Sequence, residues 1–206
     1  MLHCSVLGVG FLAGPSRAAP ARRVILVVGD SLSAEYGLQR GSGWVALLEQ
    51  RLARERIEAR VVNASISGDT TSGGRSRLDA LLREHSPTHV IVELGGNDAL
   101  RGLPLESTRA NLAHMARAAA ARNAKVLLVG MRVPPNYGRK YSEDFAALFA
   151  EVAKQHGATL VPFLLAGFAD KAQADKWFQT DRIHPTEAAQ PLMLGNVWPV
   201  LKPLLK

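Results

Sequence analysis

The sequence predicts one three-layer α/β/α domain over residues 22–206, with a five-stranded parallel sheet between two layers of helix. Short apolar runs alternate with helix-length amphipathic stretches, the pattern of a parallel sheet covered on both faces. Polar loops that contain Gly, Ser, Asp or Asn follow several of those runs directly. Residues 24–28 (Val-Ile-Leu-Val-Val) are uninterruptedly apolar up to Gly29, as expected of a strand buried on both faces. Residues 60–62, 89–94, 125–129 and 159–161 are the four further strand candidates. Between the strands, Trp44, Leu47, Leu48 and Leu52 share one helical face. Leu112, Met115 and Ala119 share another, and Phe145, Leu148, Phe149 and Val152 a third. A helix is expected to begin near Thr70. Ser142 followed by Glu143 and Asp144 marks a second start, because acids favour the positive end of the helix dipole.

A chain of 206 residues suits a single core. Residues 1–21 have the features of a removable export signal. An apolar stretch, 6–13, precedes Gly14, Pro15 and the small residues Ala18, Ala19 and Ala21, and cleavage after Ala19 or Ala21 fits the small-residue rule. The expected location is therefore outside the cytoplasm, periplasmic or secreted. No apolar run reaches the roughly 20 residues that cross a bilayer, so no stable membrane span is expected. Cys4 is the only cysteine, and a chain processed after it has no disulfide, thiolate metal site or cysteine nucleophile.

The net charge of +7 comes from scattered residues, with no basic run beyond pairs such as Arg22-Arg23 and Arg139-Lys140. That pattern argues against a nucleic-acid partner. A positive field still favours anionic substrates at low salt, such as phospholipid head groups or acyl-CoA. No cofactor is expected: the GxGxxA string at 8–13 lacks the preceding strand that a dinucleotide fold requires. No metal is expected either, since Pro87 disrupts the helix that the spacing of His85 and His89 would need.

In parallel α/β sheets ligands bind where the carboxyl ends of the strands meet the loops. Four segments with chemical potential follow the strands. Gly29-Asp30-Ser31-Leu32-Ser33 can expose a serine hydroxyl above the sheet edge, although Asp and Ser also serve in plain turns and helix caps. In the segment 65–71, Gly68 can bring a backbone N–H close to a substrate oxygen; a loop with a helix cap accounts for these residues as well. Leu94-Gly95-Gly96-Asn97-Asp98 can present the Asn97 amide as an oxyanion donor without a competing charge, or be a simple Gly-Asn turn. Asp98, ionised, is expected to shape that loop instead. Asp181-Arg182-Ile183-His184-Pro185 places a carboxylate three residues before a histidine, where it can fix the imidazole tautomer and turn Nε2 towards Ser31. Together the segments supply a nucleophile, a base, an orienter for the base and oxyanion donors, each once. Loop residues 99–103 and 133–137, with Leu100, Arg101, Pro134 and Tyr137, are candidates for binding an acyl chain, or for ordinary loop packing.

The four segments resemble the four blocks of the SGNH/GDSL hydrolases: GDSL around Ser31, the Gly68 block, GGND around Asn97 and DxxH from Asp181 to His184. Residues 62–70, 92–98 and 135–139 are similar to the exported bacterial branch with acyl-CoA thioesterase, lysophospholipase and arylesterase activities. The resemblance implies a flavodoxin-like strand order and a triad of Ser31, His184 and Asp181. It also implies oxyanion donors from the amides of Ser31 and Gly68 and the side chain of Asn97. The expected partner is a small-molecule or lipid acyl ester, with the protein a monomer. A carbohydrate or peptidoglycan O-acetylesterase on the same site, and a non-catalytic acyl-binding module, are the alternatives.

Overall fold

A computed structural model describes residues 23–169, 171 and 174–206, so the export-signal expectation for residues 1–21 lies outside the described residues. All five expected strands form: β1 (Arg23–Gly29), β2 (Ala59–Asn63), β3 (His89–Glu93), β4 (Lys125–Val129) and β5 (Thr159–Val161). They make one fully parallel sheet in the order β2-β1-β3-β4-β5. The register pairs Leu26 of β1 with Val62 of β2 and Val90 of β3. Residues 25–28 of β1 are wholly buried, which is why that strand carries no polar alternation.

Helices cover both faces. One layer holds α1 (Trp44–Arg54) packed on α6 (Gln190–Leu201); the other is the row α2 (Thr71–His85), α4 (Leu105–Ala120) and α5 (Arg139–His156). The short α3 (Gly96–Leu100) follows β3 at once. The expected helical faces point inward: Trp44, Leu48, Leu52, Leu112, Met115, Ala119, Phe145, Leu148, Phe149 and Val152 are all buried. α2 approaches the sheet closely because Gly74 faces it, and a Cβ there would lie 2.3 Å from Leu94 Cδ1. Among the described residues no helix is long and apolar enough to cross a membrane.

Two helix starts illustrate different physics. Thr70 caps α2, its hydroxyl accepting from the Gly73 N–H at 3.3 Å. The start expected at Ser142 is displaced: α5 begins at Arg139, after Gly138 with φ 91°. Ser142 Oγ donates back to the Gly138 carbonyl at 2.9 Å instead of capping N–H groups. Glu143 and Asp144 sit one turn inside the helix, where they pair with Arg139 (3.5 Å) and Lys140 (2.8 Å).

α1 has no side-chain cap of its own at Gly43. The buried Gln190, at the start of α6, supplies one across 146 residues, its Oε1 accepting from Trp44 N–H at 3.0 Å. Gln190→Ala leaves that buried N–H unpaired and lowers unfolding free energy by about 1–3 kcal/mol. Urea denaturation measures this, and an unchanged midpoint would show that water replaces the amide without cost.

Candidate active site

The site forms where the carboxyl ends of β1, β2 and β3 meet the DxxH segment. β1 delivers Gly29 and then a tight turn: the amides of Ser33 and Ala34 donate to Asp30 O, and Leu32 N–H donates to Asp30 Oδ1 at 3.0 Å. Ser31 occupies the outside of this turn. Glycine is required before it, since a Cβ at position 29 would lie 2.8 Å from the Ser33 side chain and 2.9 Å from Glu93 Oε2. Glu93, the last residue of β3, braces the turn from beneath by accepting from Ser33 Oγ at 2.7 Å and Asp30 N–H at 3.4 Å. Trp44 Nε1 donates to the same Ser33 hydroxyl, and Asn63 Nδ2 holds the Ser33 carbonyl at 2.7 Å.

The loop after β2 is laid against the first, with Ile66 N–H donating to Gly29 O at 3.0 Å. Gly68 has φ 78°, a conformation that favours glycine. Among the described residues, the amides of Ser31 and Gly68 have no protein acceptor. After β3, Asp98 shapes the third loop as expected: it is buried and accepts from Thr71 N–H at 2.8 Å, from the Thr71 hydroxyl and from Thr108 Oγ1 at 3.2 Å. Asn97 lies between all three loops. Its Nδ2 donates to Asp30 Oδ2 at 3.0 Å and to Asp69 O at 2.9 Å, so both amide hydrogens point at protein acceptors.

The DxxH segment meets these loops from the far end of the chain. His184 Nε2 is 2.9 Å from Ser31 Oγ, and its Nδ1 is 2.6 Å from Asp181 Oδ2. Arg182, at φ 58°, folds the segment back so that Asp181 Oδ1 also accepts from the Ile183 and His184 N–H groups, at 2.9 and 3.0 Å. Burial works against the charge on Asp181, but the two amides and the imidazole outweigh it and hold the carboxyl at about 2. An ionised Asp181 accepts from Nδ1–H and leaves Nε2 as the acceptor for the Ser31 proton. The opposite happens beneath the turn. Burial drives Glu93 well above the ordinary carboxylate range, and the neighbouring Asp30 adds to the effect.

The four loop residues separate into two groups. Leu100 is exposed at the end of α3, and Arg101 Nη2 donates to Gly68 O of the second loop at 2.7 Å. Pro134 and Tyr137 are held beside α5. The Pro134 carbonyl accepts from Tyr137 N–H, and the Tyr137 ring stacks on Tyr141 of α5 at 6.2 Å. The remaining histidines named in the sequence stay outside the site. His89 opens β3 with its ring held between Thr88 Oγ1 and Leu204 O, both at 2.8 Å. Among the described residues no three His, Cys, Asp or Glu side chains gather as metal ligands would.

Several residues that build the site were not legible. Arg77 of α2 binds the Ala64 carbonyl, Asp69 Oδ2 at 2.9 Å from Nε and Gly29 O at 3.4 Å, joining two loops. Its only sequence signal is a place seven residues after the Thr70 cap, on the side of α2 that turns towards the loops. Tyr36 lies over the His184 ring with centroids 4.3 Å apart, and Gln179 bridges the first loop to the DxxH segment. Neither stands at a strand end, where the search for chemistry was concentrated.

A doubly covered parallel sheet with a Ser–His–Asp hydrogen-bond chain at its carboxyl edge is an arrangement suited to hydrolysis. The chain belongs to the GDSL-like lipase/acylhydrolase family, whose sequence profile matches residues 27–191. It is 54% identical over 185 residues to esterase TesA of Pseudomonas aeruginosa, covering 90% of both chains. It is 42% identical over 187 residues to thioesterase 1/protease 1/lysophospholipase L1 of Escherichia coli, covering 91% of this chain and 87% of that one. A crystal structure of TesA superposes with a TM-score of 0.85 at 54% identity, over 88% of this chain and 99% of the other. The protein is therefore an enzyme, a hydrolase of the acyl-ester class.

Asp30 gives the fold a signature in acid. Burial raises its carboxyl from the ordinary 3.8 to about 6, against the bonds from Leu32 N–H and the Asn97 amide and the nearby His184. The folded state thus retains a proton that the unfolded chain loses near pH 4. This contribution to stability is full below that pH and is lost as the pH rises through about 6. In Asp30→Asn the difference in unfolding free energy between pH 4.5 and pH 7.5 shrinks by about 1–3 kcal/mol. Urea unfolding at the two pH values tests it, and an unaltered slope would assign the effect to other groups.

Proposed function

We propose that this chain hydrolyses acyl esters and thioesters, including aryl esters, lysophospholipids and acyl-CoA, through an acyl-enzyme on Ser31. The observation that carries this is one continuous hydrogen-bond chain, Asp181–His184–Ser31, beside two amides with no protein acceptor among the described residues. His184 takes the Ser31 proton as Oγ attacks the acyl carbon, and Asp181 stabilises the imidazolium. The tetrahedral oxyanion is held by the Ser31 and Gly68 N–H groups and by Asn97, which turns one hydrogen from Asp30 to the new charge. His184 then protonates the leaving alcohol or thiol. Water, activated by the same imidazole, attacks the acyl-enzyme and regenerates Ser31.

The substrate range is supported by the names of the relatives, an esterase in one case and a thioesterase and lysophospholipase in the other. Leu100 lines the acyl path and Arg101 fixes the Gly68 peptide beside the oxyanion. Pro134 and Tyr137, in the turn just before α5, form its outer wall. The apolar stretch 6–13 and the small residues after it support export of the enzyme.

A fluorophosphonate probe labels the wild type and not Ser31→Ala, by intact mass; an unlabelled wild type would make the protein a binding module. Asn97→Ala lowers turnover of a p-nitrophenyl ester by roughly 10²–10³, and an unchanged turnover would remove Asn97 from the oxyanion hole. Across acyl-CoAs, lysophospholipids and aryl esters of graded length, kcat/KM rises beyond acetyl. A preference confined to acetyl would point to the O-acetylesterase alternative instead.

A further inference from the structure

His184 is held by bonds at both ring nitrogens, to Ser31 Oγ and to Asp181 Oδ2. The proton between Ser31 and His184 moves during turnover and the ring charge changes with it. Neither bond therefore holds the ring at constant strength, and a contact on the ring face steadies its side-chain torsions throughout. Tyr36 makes such a contact. Its ring centroid lies 4.3 Å from that of His184 with a 36° tilt, although Tyr36 is 50% exposed. Tyr36 is placed by the nucleophile's own turn, because its N–H donates to Ser31 O at 3.3 Å. The face contact and the nucleophile are therefore positioned from the same stretch of backbone.

Gln179 locks this arrangement from the other side. Its Nε2 donates to Tyr36 O at 2.9 Å and to Pro185 O at 3.2 Å, joining chain segments 143 residues apart through one amide. Its backbone N–H donates to His184 O at 2.8 Å, and its carbonyl accepts from Arg182 N–H at 2.9 Å. Gly37 makes the bridge possible, since at φ 69° a Cβ would fall 2.1 Å from Gln179 Oε1. An oriented side chain, a vacated Cβ position and a ring contact thus converge on one imidazole.

We propose that Tyr36 and Gln179 are positioning residues that clamp the His184 imidazole in line with Ser31, with Gly37 supplying the space for the clamp. The inference rests on His184 acting as the general base and acid. Loosening the ring leaves substrate binding intact but misdirects proton transfer, a geometric error that costs a large factor in rate. The loss is greatest where the leaving group needs the proton. An alkoxide cannot depart without it, whereas p-nitrophenolate can.

The test uses the full chain with Tyr36→Ala, Tyr36→Phe, Gln179→Ala, Gly37→Ala and His184→Ala, each checked for unaltered thermal unfolding. Initial rates are measured on p-nitrophenyl butyrate and on ethyl butyrate. Tyr36→Ala and Gln179→Ala are expected to lower kcat by roughly ten- to a hundredfold with little change in KM, and more on the ethyl ester. Gly37→Ala follows Gln179→Ala, and Tyr36→Phe recovers the rate because it restores the ring. Unchanged kcat on both esters in Tyr36→Ala and Gln179→Ala would overturn the clamp. So would a loss confined to the aryl ester and expressed in KM, which would make Tyr36 a substrate contact. If His184→Ala is inactive while these variants are not, the clamp alone fails; if His184→Ala keeps its rate, the mechanism beneath it fails too.

Discussion

The 2.9 Å contact between His184 and Ser31 joins residues 153 positions apart, and the two arrive by different means. Ser31 inherits its position from β1, a strand paired on both sides and wholly buried over residues 25–28, so the sheet ladder sets its height and direction. His184 has no strand beneath it. After β5, at one edge of the sheet, the chain must return past the ends of β4 and β3 to reach β1. Its course is fixed by irregular contacts: the Phe178–Pro185 bridge, the packing of Trp177 and Phe178 on the buried Phe168, and the bond from Thr186 N–H to Trp177 O. The site depends on this unpatterned segment holding its end in register with a rigid one.

The turn that carries Ser31 is not arranged for stability alone. Two carboxyl groups, Asp30 and Glu93, are buried beneath it, and Glu93 Oε1 has no hydrogen-bond partner among the described residues. Burying ionisable groups is unfavourable unless they are paired or carry a proton. What they accomplish is shape. Glu93 joins the end of β3 to the turn that follows β1, and Asp30 holds the Asn97 amide while its own Oδ1 tightens the backbone around Ser31. Such concentrations of unfavourable local energy are held in place by the surrounding fold, and they gather at functional sites.

The sheet was legible because burial on both faces leaves an unmistakable mark: residues 24–28 can hardly be anything but a central strand. The site residues at strand ends were legible for a related reason, since topology restricts where chemistry can sit. The start of α5 was misplaced because Ser-Glu-Asp satisfies a capping pattern and an ion-pairing pattern equally well, and here Glu143 and Asp144 serve the latter. Pro134 and Tyr137, like Leu100 and Arg101, were legible as candidates only because all four follow strands. Tyr137 also starts an aromatic column through Tyr141 to Phe145, whose spacing of four is visible in the sequence although its continuation past the helix start is not. Gln179 and Tyr36 were invisible because their roles exist only when two remote segments meet.

Arg77 carries a consequence for how the site waits for substrate. With its partner Asp69 it is mostly buried, and it binds groups from the ends of β1 and β2 at once. Neither loop can swing away without stranding a guanidinium in a half-dry environment, which costs several kcal/mol. The wall holding Ser31 and Gly68 is thus preorganised, and its hydrogen-bonded amides, such as those of Ala34 and Ile66, exchange with solvent only in openings that also disturb the Arg77 contacts. Encounter with a substrate then requires little reshaping on that side, and binding energy is kept for the reacting bond.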